Sequence, residues 1–423
     1  MKRLIATMVM LLACWGALGQ TRDFLTLSGK VTDSQTGESL AFVSVNLKGT
    51  NISIVTNSEG VFSLKVPAET GEGEHVSISS LGYLTADFTV GDFLKLPANR
   101  MLSVALVPVV MRLDPAVVRS VDPKILFSTA YSRVRWNYPT KTVGMTAFYR
   151  EMIKKGNTKY LVLNEAVVDI EKTSYTGYAV DKAAIYKGRG SINYDVTDTL
   201  FVQFQGGITA ALDLDMVKNP FVGTTLQAAT HFYDFTLDGI ETLDGKTCYV
   251  VGFHPKEGTQ PFLFIGKLFI ETESFAIARM EFSMDLKGRE EAAAGEFIIR
   301  RPADRRFTVE RADYSVNFKE YDGLWYYEYS RVDINFTARR RRSLFRTSYT
   351  VTGEMAVTDH KKGDFKIEND DRVRMRDILS NRVAAFTDED FWEGYNVIEP
   401  DQSIDQAIRR IIRQLRRREE QED

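Results

Sequence analysis

Short runs of alternating hydrophobic and polar residues fill the chain from residue 27 to residue 106. Val43, Val45 and Leu47, for example, alternate with polar neighbours, as in a strand that buries one face and exposes the other. Turns that contain glycine separate the runs every ~8–12 residues, which is typical of a small β-sandwich. The pattern predicts seven strands in a sandwich over residues 27–107.

Period-two alternation returns beyond Met145 and predicts a larger antiparallel β domain over residues 141–375. Asp-Gly pairs within it predict hairpin turns, because both residue types accept the positive φ of a primed turn. These pairs are Asp238-Gly239, Asp244-Gly245 and Asp322-Gly323. Residues 206–219 are less β-like and predict a short helix or a lid-like excursion.

Helical signals lie in the linker of residues 108–140 and in the C-terminal segment of residues 376–423. In the linker, Asp122 is a suitable N-cap, Pro123 suits the first helical position, and apolar residues keep helical spacing up to Asn137. This connecting helix is predicted to pack into the core.

The C-terminal segment predicts an amphipathic helix. Ser403 and Gln406 have capping-box spacing. The apolar positions are Ile404, Ala407, Ile408, Ile411, Ile412 and Leu415, and the basic ones are Arg409, Arg410, Arg413, Arg416, Arg417 and Arg418. Two interpretations stay open: a helix docked on the sheet with solvated arginines, or peripheral contact with anionic lipid or an acidic partner.

The first residues carry export signals. Residues 1–19 combine two cations, an apolar run and small residues before Gln20, which predicts a cleaved signal peptide. The alternative is lipidation at Cys14, which follows Leu11-Leu12-Ala13 as in bacterial lipoproteins. Either processing predicts an exported protein of the periplasm or cell envelope, with or without association to the outer membrane.

Composition narrows the class of protein. The 423 residues are 44% hydrophobic and 26% charged, so a disordered chain is excluded. The formal charge is −3, and loss of Lys2 and Arg3 makes it −3 − 2 = −5, so no global basic field attracts nucleic acid. Only Cys14 and Cys248 exist, so a processed chain with one thiol has no internal disulfide.

The first domain resembles a known family. The stretch LSGKVTDSQTGESLAFVSVNLKGTNISIVTNSEGVFSLKVP, followed by SSLGYL, is similar to the carboxypeptidase regulatory-like domain, a transthyretin-like sandwich. The resemblance implies a noncatalytic module. In exported bacterial proteins such modules precede outer-membrane transporters or surface-associated domains, which implies an outer-membrane protein as a partner.

The second region resembles two further groups. Its hairpin series and the stretch GKLFIETESFAIARMEF are similar to the curved half-barrel of periplasmic lipoprotein carriers, in which one sheet wraps a helix and an apolar cavity. That resemblance implies a hydrophobic ligand. The FYRE stretch and the closing FWEGYNVIEPD resemble an exported bacterial family of uncharacterised function that pairs a sandwich with such a region.

The sequence contains few candidates for catalytic or metal-binding residues. His254 and Glu257 form an H-x-x-E pattern and His360 lies 106 positions after His254, but the general base and arginines of a zinc peptidase have no counterpart in the sequence. Cys248 falls in an apolar strand, where a thiol is an inert small hydrophobe.

Two clusters of side chains are candidates for binding rather than for catalysis. The run Arg339–Arg342 predicts a solvated hairpin loop, with phosphate or lipopolysaccharide contact as the alternative. Trp325, Tyr326, Tyr327 and Tyr329 offer an aromatic surface for glycans, but alternation along a strand places half of them in the core.

Together these features predict a mainly β, non-enzymatic binding or interaction protein of the cell envelope, with no catalytic, cofactor or metal residues and no cofactor. It would hold an apolar ligand or an outer-membrane protein partner. The alternatives are an outer-membrane β-barrel and a zinc metallopeptidase.

Overall fold

The computed structural model describes residues 24–97, 100–109, 121–156, 158–192, 207–220, 226–258, 263–297, 304–386 and 391–422. The signal-peptide prediction on residues 1–19 and the Cys14 alternative lie outside these residues. No helix within the described ranges is both long enough and apolar enough to cross a membrane.

The first unit is a sandwich of two small sheets, in the orders β4-β1-β7 and β3-β2-β5-β6. The strands are β1 (Phe24–Asp33), β2 (Ser44–Leu47), β3 (Ser53–Val55), β4 (Val61–Pro67), β5 (His75–Ser79), β6 (Ala86–Thr89) and β7 (Leu102–Leu106). On β4 the alternate residues Phe62, Leu64 and Val66 are buried, as the hydrophobic pattern requires. The predicted seven-stranded sandwich is confirmed.

One short helix in this unit was not predicted from the sequence. Helix α1 (Val90–Leu94) directly follows β6. Thr89 accepts a hydrogen bond from the backbone N–H of Asp92, and the Asp92 carboxylate accepts one from the N–H of Thr89. This capping box is visible in the sequence, but the surrounding strand pattern obscures it.

The second unit is one ten-stranded antiparallel sheet, in the order β10-β9-β8-β17-β16-β15-β14-β13-β12-β11. The strands are β8 (Val143–Lys155), β9 (Lys159–Lys172), β10 (Lys182–Ile192), β11 (Tyr233–Leu243), β12 (Lys246–Pro255), β13 (Phe264–Glu271), β14 (Ile277–Met284), β15 (Arg305–Tyr321), β16 (Leu324–Arg340) and β17 (Arg346–Lys361). The sheet is open, with β10 and β11 as its edges among the described strands, so the alternative of a closed sheet does not hold for them.

Two of the three predicted Asp-Gly turns are confirmed. Asp244-Gly245 joins β11 to β12 and Asp322-Gly323 joins β15 to β16, and all four residues have positive φ. The hairpin predicted at Asp238-Gly239 is wrong, because this pair forms a bulge inside β11. Only four residues separate Gly239 from Asp244, too few for another strand, so both flanks pair with β12.

Short helices pack on one face of this sheet. They are α2 (Pro123–Ser132), α3 (Val134–Asn137), α4 (Gly207–Asp213), α5 (Leu226–Phe232) and α6 (Glu290–Phe297). The predicted connecting helix is confirmed as α2 and α3, with Asp122 as the N-cap of α2. Helix α4 confirms the short helix predicted in residues 206–219.

The sheet curves around these helices. Helix α4 contacts edge strand β10, and α2 contacts the opposite edge, β11. The Tyr131 hydroxyl of α2 also donates to the carbonyl of Met216, just beyond α4, at 3.1 Å. In a flat ten-stranded sheet the edges would lie ~43 Å apart, whereas helices of this size are only ~10–15 Å long. The predicted mainly β architecture, with a large curved antiparallel sheet after the sandwich, is confirmed.

The sandwich covers the other face of the sheet. Phe148, Val167, Tyr329 and Ala356 of the large sheet belong to the same buried cluster as the sandwich core. The Tyr329 ring stacks on Phe42 with centroids 5.9 Å apart. Both faces of the central strands are therefore buried.

The C-terminal helix α7 (Gln402–Glu422) is docked. Its apolar residues Ile404, Ala407 and Ile408 are buried in one cluster with Tyr160 and Leu163 of β9. The structure thus agrees with the docked interpretation of this helix, and these three residues are not available for a lipid surface. The side chains beyond Arg413 lie outside the described residues.

Candidate binding cleft

A cleft of about 470 Å³ opens between the sandwich and the large sheet. Small-molecule pockets have volumes of ~300–1,000 Å³, so the space suits a small ligand. The sandwich contributes residues of β2, β3, β5 and β6 and of the turn after β2. The sheet contributes the β11–β12 turn and the neighbouring ends of β15, β16 and β17. Antiparallel order brings these ends together, because β15 and β16 meet at the Asp322-Gly323 turn.

Hydrogen bonds across the two units hold the cleft walls. The Lys319 ammonium lies 2.6 Å from Oδ1 of Asn46. The Ser53 hydroxyl donates to the carbonyl of Val357 at 3.0 Å. Because Asn46 and Ser53 are buried, these bonds are shielded from water and fix the sandwich on the sheet.

The charges of the lining nearly cancel. Its lysines are Lys48, Lys246 and Lys319, and its carboxylates are Asp87, Asp244, Glu320 and Glu328. Each lysine has an acidic neighbour: Lys48 is 2.7 Å from Asp87, Lys246 is 2.8 Å from Glu320, and Lys319 is 3.8 Å from Glu328. Since these charges pair with one another, the cleft suits a neutral polar ligand better than a strongly charged one.

Aromatic rings form one side of the cleft. The rings of Tyr326 and His360 have centroids 4.8 Å apart, and those of Tyr321 and Tyr326 lie 6.4 Å apart, edge to face. On the sandwich side, the buried Thr85 hydroxyl has no hydrogen-bond partner among the described residues. The lining therefore combines apolar ring surface with polar groups.

His360 gives the fold a testable pH dependence. Burial lowers the pKa of His360 to about 4, from an ordinary value of 6.5. The unfolded chain takes up this proton near its ordinary pKa, but the folded protein takes it up only near pH 4, so acidification across that window favours unfolding. We expect this group to remove up to about 3 kcal/mol of stability between about pH 7 and pH 4. In urea unfolding, His360→Gln should lose less stability than the wild type over the same range, and equal losses would contradict the effect.

The structure does not assemble the zinc site considered from the sequence. His254 is exposed on β12, Glu257 is exposed beyond the end of that strand, and His360 lies on β17. Strands β13 to β16 separate β12 from β17 in the sheet. Within the described ranges, no three His, Cys, Asp or Glu side chains come together as metal ligands would.

Cys248 is a packing residue. Its side chain is buried within β12, and burial raises the pKa of the thiol to about 12. A thiol in this state carries almost no nucleophilic thiolate at neutral pH.

The four aromatic residues predicted as a glycan surface divide between the core and the cleft. Trp325 and Tyr327 pack on the helix side of the sheet and Tyr329 packs on the sandwich side. The period-two pattern breaks because β16 has a bulge opposite Asn317 and Phe318, and the extra residue is Glu328. More of them are buried than alternation predicts, since both faces of the sheet are covered here. Tyr326 lines the cleft.

Residues 27–103 match the family model of the CarboxypepD_reg-like domain. This confirms the resemblance predicted for the first domain and defines the sandwich as a carboxypeptidase regulatory-like domain. A comparison with curated proteins finds no match to the chain.

Solved structures give a more distant likeness. A DUF1329 family protein from Desulfovibrio piger is 15% identical, covering 58% of this chain and 94% of its own, with a TM-score of 0.24. A LolA superfamily protein from Nitrosomonas europaea is 11% identical, covering 58% of this chain and 96% of its own, with a TM-score of 0.21.

Proposed function

We propose that this chain is an exported, non-enzymatic binding protein of the bacterial cell envelope, and that its ligand is a small saccharide held in the cleft between the sandwich and the sheet. The observation that carries the proposal is the cleft itself, a space of about 470 Å³ whose walls come from two units fixed on each other. The export signals of residues 1–19 support the envelope location.

The chemistry of the lining supports a saccharide. A sugar ring has an apolar C–H face that packs on aromatic rings and a rim of hydroxyls that donate and accept hydrogen bonds. Tyr321 and Tyr326 supply the ring surface, while Asn51, Thr85 and Glu328 supply polar atoms. The near balance of charge in the lining matches a ligand with no net charge.

An apolar ligand inside the curve of the sheet stays a prediction, as does an outer-membrane protein partner. Among the described residues on that side, Phe127, Tyr138 and Tyr175 are buried in one packed cluster. Tyr138 and Tyr175 have ring centroids 5.0 Å apart. This packing favours the cleft over the helix side as the place for a ligand.

A glycan array probed with the purified protein, followed by calorimetry on any hit, tests the proposal. We expect saccharide binding that Tyr326→Ala weakens ~5-fold or more, because the ring contact is worth ~1 kcal/mol or more. Asn51→Trp should abolish binding by filling the cleft. Tyr178→Ala is the matched control, since Tyr178 is fully exposed on another surface. Absence of saccharide binding, or equal affinity in all variants, would refute the assignment.

A further inference from the structure

The hairpin between β16 and β17 ends in a segment that we call the basic tip, residues 339–346. Its sequence is RRRRSLFR. All five of its arginines are exposed, as the predicted solvated hairpin requires. Between them, Leu344 is 95% exposed and Phe345 is 86% exposed.

The two apolar side chains do not pack into the described part of the fold. Neither Leu344 nor Phe345 belongs to any hydrophobic cluster of the described residues. The hairpin that carries them is held in place further back, where Phe336 and Tyr349 stack with centroids 5.1 Å apart. The hairpin therefore presents adjacent leucine and phenylalanine side chains to the outside.

Neighbouring strands add to the positive charge. Strand pairing places Arg305 and Arg306 of β15 beside Arg340 and Arg339. On the other side, Lys155 of β8 pairs with Tyr349 of β17 and so lies at the same end of the sheet.

Few acids oppose this charge. Asp304 lies 3.2 Å from Arg340, and Glu291 lies 3.9 Å from Arg306. Within the described ranges, no ion pair is formed by Arg339, Arg341, Arg342 or Arg346.

We propose that the basic tip docks on a bilayer surface that contains anionic phospholipid. Arginines on both sides of the apolar pair would bind lipid phosphates, while Leu344 and Phe345 enter the boundary between headgroups and acyl chains. A lipid surface suits this tip better than an acidic protein does, because it offers phosphates to the arginines and an apolar layer to Leu344 and Phe345, which are exposed side by side.

Docking by this tip sets the position of the cleft. Strand β16 runs from Leu324 near the cleft to Arg340 at the tip. Its length of ~55 Å, from 17 residues at ~3.3 Å each, separates the two. A membrane at the basic tip therefore leaves the cleft open to solvent, and this inference does not depend on what the cleft binds.

Flotation with vesicles tests the proposal. The purified protein should float with vesicles of phosphatidylethanolamine and phosphatidylglycerol, should bind pure phosphatidylcholine far more weakly, and should dissociate as salt is raised. Replacing Arg341, Arg342 and Arg346 together by glutamine should weaken binding about 100-fold, from ~1 kcal/mol per arginine. The double variant Leu344→Ser and Phe345→Ser should weaken it at least ~10-fold.

The matched control removes the same charge elsewhere. Arg372, Arg374 and Arg376 are exposed on another segment, and their triple replacement by glutamine should leave binding near the wild-type level. All substituted side chains are exposed, so melting temperatures should agree and exclude misfolding as a cause. The proposal is wrong if wild-type protein does not float with anionic vesicles, if either tip variant binds as the wild type does, or if the control loses as much binding as the tip variants.

Discussion

Replacing Arg150 by methionine is expected to lower the free energy of unfolding by about 3–5 kcal/mol. Arg150 on β8 is one of the largest fully buried side chains of the protein. Its guanidinium lies 2.7 Å from Glu165 and 3.2 Å from Glu354, and it donates to the carbonyl of Ile398 at 2.7 Å. Removing the arginine leaves two buried carboxylates without this charge partner, so the variant suffers most of their desolvation cost.

The same site predicts how the effect varies with pH. Burial alone would raise the pKa of Glu165, but Arg150 and Arg189 hold it below its ordinary value. A carboxyl with a lowered pKa adds stability above its unfolded pKa and loses it as the pH falls through the folded pKa. The difference between wild type and Arg150→Met should therefore shrink below about pH 4.

Equilibrium unfolding in urea measures this difference. The matched control is Arg409→Met on α7, where the arginine is exposed and forms a surface ion pair with Asp405 at 2.9 Å. Exposed pairs contribute little, so the control should change stability by less than ~1 kcal/mol. Similar losses of unfolding free energy in Arg150→Met and Arg409→Met would contradict the predicted contribution of the buried Arg150.

Replacing Lys172 by methionine is also expected to lower the free energy of unfolding by about 3–5 kcal/mol. The Lys172 ammonium is buried on β9, 2.6 Å from Asp181 and 2.6 Å from Asp215. Tyr175 also donates to Asp215, at 2.7 Å, and Lys218 lies 2.6 Å from Asp181. This cluster ties the turn after β9 and the segment after α4 to the sheet, so its loss should loosen both.

Hydrogen exchange separates this local effect from general destabilisation. We expect exchange in residues 214–220 of Lys172→Met to accelerate more than exchange of the sandwich amides does. Lys366→Met is the control, because Lys366 is exposed and forms a surface pair with Glu368 at 3.5 Å. Exchange in residues 214–220 that matches the control would contradict the role given to Lys172.

Local chemistry made many elements of the fold predictable. Asp122 and Pro123 mark the start of α2 because the cap and the fixed φ of proline act within a few residues. Asp244-Gly245 and Asp322-Gly323 form turns for the same reason. Asp238-Gly239 has the same composition and forms a bulge, because strand pairing further along β11 decides its conformation.

The candidate site was not predictable in the same way. Asn46 and Lys319 meet in the cleft although 273 positions separate them in the chain. Alternation along β8 indicates a strand. The burial of Arg150, however, depends on how the sandwich and residues 391–401 cover the face of the sheet on which Arg150 lies. The sequence pattern of one strand does not show that two units dock against each other. Tyr326 could therefore be identified as an aromatic candidate, but its position in a cleft could not be predicted.

The cleft is best tested by native mass spectrometry of the protein purified gently from its own cell envelope, followed by denaturing mass analysis of the same sample. We expect a bound mass in the saccharide range that is lost on denaturation. It should be absent from Asn51→Trp and retained in Tyr178→Ala. Ligand-free wild-type protein, or a bound mass that persists unchanged in Asn51→Trp, would contradict the assignment of the cleft as the binding site.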